Sequence, residues 1–227
     1  MKAMILAAGR GERLRPLTDS TPKPLLEIAG EPLIIHQIRW LRSAGINELV
    51  INLHHLGEQI EQILGSGERF GVNIRYSREA ELLETGGGVV NALGLLGTDP
   101  FVILNGDIYT DFPLSDLQVN LAPDAELHLV LTPKPDFREA GDFSYANGRI
   151  TARGSDYVYC GIAVLRPEIF ADRKVTAFSL RDTFFSAVRR GVASAQIWQG
   201  YWTDIGSLEQ LKDANANASA DPLEPST

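Results

Sequence analysis

The chain has 227 residues, the size of a single α/β domain with a sizeable core. A formal charge of −8 at pH 7 excludes non-specific binding to nucleic acid as the main activity, and no apolar run approaches the roughly 18 residues that a membrane span needs. One cysteine, Cys160, leaves no internal disulfide and four scattered histidines give no Cys/His metal spacing, so a reducing cytoplasm is the expected compartment.

Apolar runs and amphipathic stretches alternate along the first half. Residues 4–7 read as a buried first strand, because the apolar run stops at Gly9 before an arginine cluster instead of continuing as a signal peptide. Pro32 opens a helix that carries Ile35, Ile38 and Leu41 and stops at Gly45. Strands are expected at 49–53, 72–76, 101–104 and 127–131, with helices at Gly57–Leu64 and 88–96 between them. Such alternation predicts a single-domain, three-layer α/β/α fold with a mostly parallel, Rossmann-like sheet. The second half is less regular. Asn147-Gly148 marks a hairpin within 143–150, 158–165 reads as a strand, and Leu180–Arg190 and 208–214 read as helices, so an antiparallel insertion is expected there. The domain is expected to span 1–214, and 215–227, poor in apolar residues, to be a disordered tail.

The first strand runs into Leu6-Ala7-Ala8-Gly9-Arg10-Gly11-Glu12-Arg13-Leu14-Arg15-Pro16-Leu17-Thr18, with Lys23-Pro24-Leu25 soon after. Two glycines let a backbone approach a bulky ligand and turn amide hydrogens toward phosphate oxygens. Residues 1–24 hold five Lys or Arg against two Asp or Glu, a local +3 that leaves −11 on the remainder. A basic loop on an acidic body points to an anionic small molecule. The string lacks the Gly-Lys-Ser/Thr ending of a Walker loop, and Leu14 stands where a dinucleotide fingerprint needs a small residue. Further on, Phe101-Val102-Ile103-Leu104-Asn105-Gly106-Asp107 is a buried strand ending in a carboxylate, and Tyr201-Trp202-Thr203-Asp204-Ile205-Gly206 offers a second. Ligand chemistry in open α/β sheets sits at strand C-terminal ends, and nucleotide-bound Mg²⁺ takes one or two protein carboxylates with phosphate oxygens and water. Taken singly, each aspartate reads equally well as a turn or helix cap.

The loop, the Lys23-Pro24 pair and the two Asp motifs together resemble the sugar-1-phosphate nucleotidyltransferases, along nearly the whole chain. The resemblance implies nucleotidyl transfer from a nucleoside triphosphate to a sugar 1-phosphate, with release of pyrophosphate. It implies Arg15 and Lys23 as the catalytic cations and Asp107 and Asp204 as the Mg²⁺ ligands. Leu6, Ala7, Ala8, Gly9, Gly11, Arg13 and Asn105 would then surround the nucleotide. The segment Arg78-Glu79-Ala80-Glu81-Leu82-Leu83-Glu84-Thr85-Gly86-Gly87-Gly88 holds the nucleobase by this analogy, which marks Glu79, Thr85, Gly86 and Gly87. Glu79 and Glu84 stand where relatives commonly carry Gln and the first Gly. Gly141, Asp142, Tyr159 and Gly161 are the implied sugar contacts. The Glu-Lys-Pro motif of many relatives is missing, and Thr151-Ala152-Arg153-Gly154 lies in its vicinity. Among compact members the run 83–88 looks most like those that move a uridylyl group onto N-acetylmuramic acid 1-phosphate in cell-wall recycling, ahead of guanylyl transfer to mannose 1-phosphate and thymidylyl transfer to glucose 1-phosphate. A non-catalytic sugar-nucleotide sensor and a glycosyltransferase are the rivals from other classes; the latter is expected to carry Asp-x-Asp, and Asp107-Ile108-Tyr109 does not. Cys160, Trp40, Phe184 and Phe185 read as core and His54-His55 as structural. Oligomeric state is not legible.

Overall fold

A computed structural model describes residues 1–220. In chain order the elements are β1 Lys2–Leu6, α1 Leu17–Ser20, β2 Glu27–Ile28, β3 Glu31–Pro32, α2 Leu33–Ser43, β4 Glu48–Leu53, α3 Gly57–Leu64, β5 Asn73–Arg78, α4 Glu84–Leu96, β6 Phe101–Asn105, β7 Ile108–Thr110, β8 Leu127–Pro133, β9 Phe143–Ala146, β10 Arg149–Arg153, β11 Tyr157–Leu165, α5 Leu180–Arg190, β12 Ala193–Ile197, β13 Trp202–Asp204 and α6 Leu208–Ala220. A nine-stranded sheet runs β5-β4-β1-β6-β11-β8-β12-β10-β9. Its first four strands are parallel, from Lys2↔Glu48 and Lys2↔Phe101 outward. Beyond β6 the pairings turn antiparallel, apart from the parallel β8–β12 pair. The sheet is thus parallel in one half and mixed in the other.

Both faces are covered, because the central strands are apolar through their middles, with polar residues only toward their ends. Ala3, Ile5, Leu49, Ile51, Val102 and Leu104 pack against α2 and α3, while Met4, Val50, Phe101 and Ile103 pack against α4 and α5. Period-two alternation assigns neighbouring residues to opposite layers, which gives three layers from one sheet. A smaller cluster joins Leu14, Ile28, Leu33, Tyr109, Ile205, Ala214 and Ala218. It fastens the loop after β1 to the stretch after β13.

Two expected boundaries move. Helix α4 starts at Glu84, not at 88, so the three glycines form its first turn. Added side chains there would strike the Phe178 ring at 2.3 Å, the Thr176 carbonyl at 2.1 Å and Glu79 at 2.7 Å. Residues 215–220 are helical, not tail. Ala214 and Ala218 are buried one helical turn apart, and the Asn215 carboxamide accepts from the Ala29 amide at 2.9 Å and donates to the Glu27 carbonyl at 3.1 Å. The rest of the expected tail, 221–227, lies outside the described residues. Among those described, no helix is long and apolar enough to cross a membrane.

Candidate functional site

A cleft of about 560 Å³ opens at the C-terminal ends of β1, β4 and β6 and takes in Leu6, Asn52 and Asn105 from those strands. One wall is the loop after β1. Gly11 has φ +64°, a left-handed conformation that favours glycine, and a Cβ there would stand 2.8 Å from Thr18 Cγ2. The turn is closed by Leu14 N–H to the Gly11 carbonyl at 2.9 Å, which Thr18 Oγ1 also reaches at 2.9 Å. Leu14 is driven into the third apolar cluster. Its neighbours diverge as a result. Arg13 turns into the cleft and lies over Gly206, where an added Cβ would be 2.9 Å from the guanidinium. Arg15 points outward, 57% exposed, and pairs with Asp19 at 3.2 Å. The expectation that Arg15 serves the reacting centre is therefore corrected: of the two arginines, the fold brings Arg13 to the cleft.

A buried polar relay holds the start of this loop. Ala7 N–H donates to Asn52 Oδ1 at 2.8 Å, Asn52 Nδ2 donates to Glu79 Oε1 at 2.7 Å, and Glu79 Oε2 accepts from Leu83 N–H at 3.0 Å. Asn52 is 2% and Glu79 6% exposed. Glu79, expected to touch the nucleobase, is instead spent on this relay. The amides of Gly86 and Gly87 also depart from expectation, since both donate to the Phe178 carbonyl, at 2.9 and 3.4 Å, and neither residue lines the cleft. Thr85 does line it, with its hydroxyl accepting from Leu180 N–H at 2.9 Å. Leu82, Glu84 and Ser179 join it there. Glu84 has φ +56°, so the position where relatives carry glycine keeps a glycine-like backbone under a carboxylate.

The two aspartates, 97 positions apart in sequence, come together through β7 and β13. These strands pair with Asp204 opposite Ile108, and Ile205 N–H donates to the Asp107 carbonyl at 2.7 Å. Gln37, buried on α2, steadies the turn by donating to the carbonyls of Asn105 and Ile108, each at 3.0 Å. Gly106 makes the turn possible, since a Cβ there would meet the Leu6 carbonyl at 2.4 Å. Each carboxylate faces a cation: Lys23 Nζ is 2.5 Å from Asp107 Oδ2, and an Arg138 guanidinium nitrogen is 2.5 Å from Asp204 Oδ2. Asp204 Oδ1 accepts from Gln210 Nε2 at 2.7 Å. Strand pairing thus makes the two aspartates backbone neighbours, although only Asp107 lines the cleft, and carboxylate oxygens are the ligands a hard divalent cation takes. No group of three or more His, Cys, Asp or Glu suited to a metal occurs among the described residues, so further ligands would have to come from phosphate oxygens and water.

The expected sugar contacts lie apart from the cleft lining. Asp142 Oδ2 accepts from Tyr159 N–H at 3.1 Å, and its Oδ1 pairs with Arg181 at 2.5 Å. Gly161, φ +80°, forms a bulge in β11 that presses on Asn105 and Ile108; a Cβ on Gly141 would strike Ser155. The Tyr159 hydroxyl is buried and has no hydrogen-bond partner among the described residues; burial first, then its neighbours Cys160 and Asp107, push its pKa well above the usual value. Arg153 stacks on Phe185 at 4.2 Å. Cys160 is fully buried and its thiol pKa is raised by burial, as a core residue's should be. His54 and His55 each hold a backbone carbonyl, of Glu79 and Thr18. Asn52, Gln37, Gln210 and Arg138 were not singled out in sequence; a lone amide inside the apolar run of β4 was the one signal available, for Asn52.

Comparison with known proteins agrees with this geometry. The chain is 43% identical over 234 aligned residues to the N-acetylmuramate alpha-1-phosphate uridylyltransferase of Neisseria meningitidis serogroup B, covering 97% of this chain and 99% of that one. It is 32% identical to the mannose-1-phosphate guanyltransferase of Gibberella zeae, over 91% of this chain and 61% of that protein's length. Among solved structures, a putative glucose-1-phosphate thymidylyltransferase from Bacillus anthracis, in complex with a sucrose, superposes with a TM-score of 0.85 at 26% identity, covering 96% and 95% of the two chains. The model of the nucleotidyl transferase family matches residues 2–221, and the chain belongs to that family.

Proposed function

We propose that this chain transfers a uridylyl group from UTP to N-acetylmuramic acid 1-phosphate, releasing pyrophosphate, as a cytoplasmic step of cell-wall recycling. The observation that carries the reaction class is the convergence of Lys23, Arg13, Asp107 and Asp204 at one end of the parallel strands, beside a glycine turn. The choice of uridylyl and of this sugar is supported by the Neisseria relative, which aligns over almost the full length of both chains.

In this reading an oxygen of the sugar phosphate forms a bond to the α-phosphorus as the bond to pyrophosphate breaks. The attacking oxygen is already ionised, so no side chain has to remove a proton. What the protein supplies is position and charge: two anions must meet, and negative charge grows on the departing pyrophosphate. Lys23 and Arg13 face that charge from the loop wall, and Asp107 and Asp204 would hold Mg²⁺, which neutralises phosphate oxygens when bound. The loop, kept in place by the Asn52 relay and by Leu14, presents its backbone to the triphosphate. Gly141, Asp142, Tyr159 and Gly161 lie apart from the cleft lining, and in this reading they would border the side from which the sugar enters.

Pyrophosphate release measured for four nucleoside triphosphates against several sugar 1-phosphates tests the proposal. UTP with N-acetylmuramic acid 1-phosphate is expected to give the highest kcat/KM. A higher value for GTP with mannose 1-phosphate, or for dTTP with glucose 1-phosphate, would replace the substrate assignment. Ligand binding with no product would make the chain a sensor, and sugar transfer from a UDP-sugar to an acceptor would make it a glycosyltransferase.

A further inference from the structure

The loop between β8 and β9 carries the cation that faces Asp204. Its backbone is pinned, because Arg138 N–H donates to the Pro135 carbonyl at 3.0 Å and Lys134 Nζ donates to the Arg138 carbonyl at 2.9 Å. The next residue back, Phe137, stacks on Trp202 at 6.3 Å between ring centroids, with the rings 17° from parallel. From this fixed base the Arg138 side chain, 37% exposed, passes over the Trp202 ring, with the guanidinium 6.0 Å from its centroid, and ends on Asp204. Beyond it the same loop reaches Asp142, which accepts from Tyr159 N–H and is one of the sugar contacts of the proposed function.

Arg138 and a divalent cation compete for Asp204 Oδ2, because two positive charges at contact distance repel and the carboxylate, 12% exposed, has little water to screen them. Asp204 Oδ1 is already used by Gln210. Asp107 is in the same position with Lys23, but Lys23 lines the cleft itself and so stays at the loop wall beside the phosphates when a cation takes its place. We infer that Arg138 is an exchangeable counter-ion of Asp204. It neutralises that carboxylate in the unloaded enzyme, leaves it when a metal is taken up, and then grips the phosphate of the sugar 1-phosphate. The inference rests on the proposed function and on Asp204 as a metal ligand.

The test uses Mn²⁺ as probe, titrated into the substrate-free full-length protein and followed by calorimetry, for the wild type, Arg138→Ala, Arg138→Lys and Asp204→Asn. Removal of the competing guanidinium should tighten Mn²⁺ binding of Arg138→Ala by about 2- to 5-fold, the range expected for a partly exposed ion pair. Arg138→Lys should stay close to the wild type. In steady state Arg138→Ala should raise KM for the sugar 1-phosphate by about 10- to 100-fold, as for a lost charge-assisted hydrogen bond, while KM for the nucleotide stays unchanged. Melting curves show whether both variants are folded. Equal Mn²⁺ affinity in Arg138→Ala and wild type, or KM values that rise together for both substrates, would overturn the exchange. Failure of the underlying readings looks different: Asp204→Asn would bind Mn²⁺ like the wild type, or the wild type would form no sugar nucleotide, and either result removes the exchange with them.

Discussion

Two regions around the candidate site are built by different means. On the loop side, positions are set by backbone and buried amides: Ala7 held by Asn52, the Asp107 turn held by Gln37, and Leu14 sunk into an apolar cluster. On the side of β8 to β11, the polar residues are held by part-exposed ion pairs, Arg138 with Asp204 and Arg181 with Asp142. Buried hydrogen bonds are costly to break, whereas exposed ion pairs contribute little and are readily exchanged. Under the proposed function the triphosphate would meet the rigid region and the sugar the adjustable one, a division suited to relatives named for different sugars.

The comparison breaks most severely at the loop wall. Lys23→Ala and Arg13→Ala should each lower kcat by about 10²–10³-fold, the usual loss when one preorganised donor to developing charge is removed. Arg15→Ala, only two positions away but facing solvent, should leave kcat/KM within a few-fold. Equal losses for Arg13 and Arg15 in the pyrophosphate assay would show that the loop rearranges before reaction.

Next in size is the relay. Asn52→Ala strips the partner from the Ala7 amide and from buried Glu79, and should cost about 1–3 kcal/mol in denaturant unfolding. Arg181→Ala, which removes an exposed pair, should cost less than about 1 kcal/mol. If the two costs were alike, the division between rigid and adjustable walls would fail.

A smaller effect of opposite sign is expected at Glu84. Replacing it with glycine relieves a left-handed backbone and should stabilise the fold by about 1 kcal/mol, the lower end of the cost of that conformation for an L-residue. A loss of stability on the same measurement would mean that the carboxylate, not the backbone, is what position 84 is kept for.

The smallest effect concerns pH. His128 on β8 is buried, its ring between Ser194 and Gln196 of β12, and burial lowers its pKa below the ordinary 6.5 against a weaker opposing effect of the Gln196 hydrogen bond. The folded chain stays neutral while the unfolded chain takes up a proton, so stability is full above about pH 6.5 and falls as the medium is acidified below it. The wild type should lose more Tm than His128→Gln on acidification, with amide exchange in β8 and β12 rising first. An equal loss in both would assign the acid sensitivity elsewhere.

Much of the fold was legible because periodicity is local. The runs 49–53, 101–104 and 127–131 are apolar but for Asn52 and His128, and α5 carries Ser179 at its start and Gly191 at its end, so each element is specified within its own window. The parallel half followed from their alternation. Strands β7, β12 and β13 were not legible: three to five residues of mixed polarity become strands only because a partner offers its ladder. The first turn of α4 was misread because its glycines are demanded by Phe178, Thr176 and Glu79, contacts that no local pattern encodes.

The site divides in the same way. The basic glycine loop, Lys23 and both aspartates stand out in the sequence, since charge and glycine spacing are properties of the chain itself. Only the tertiary structure chose Arg13 over Arg15, withdrew Glu79 from the cleft and set Arg138 against Asp204. Direction in space depends on where Leu14 is buried and on which strand β13 pairs with, and burial and pairing are decided by the whole fold.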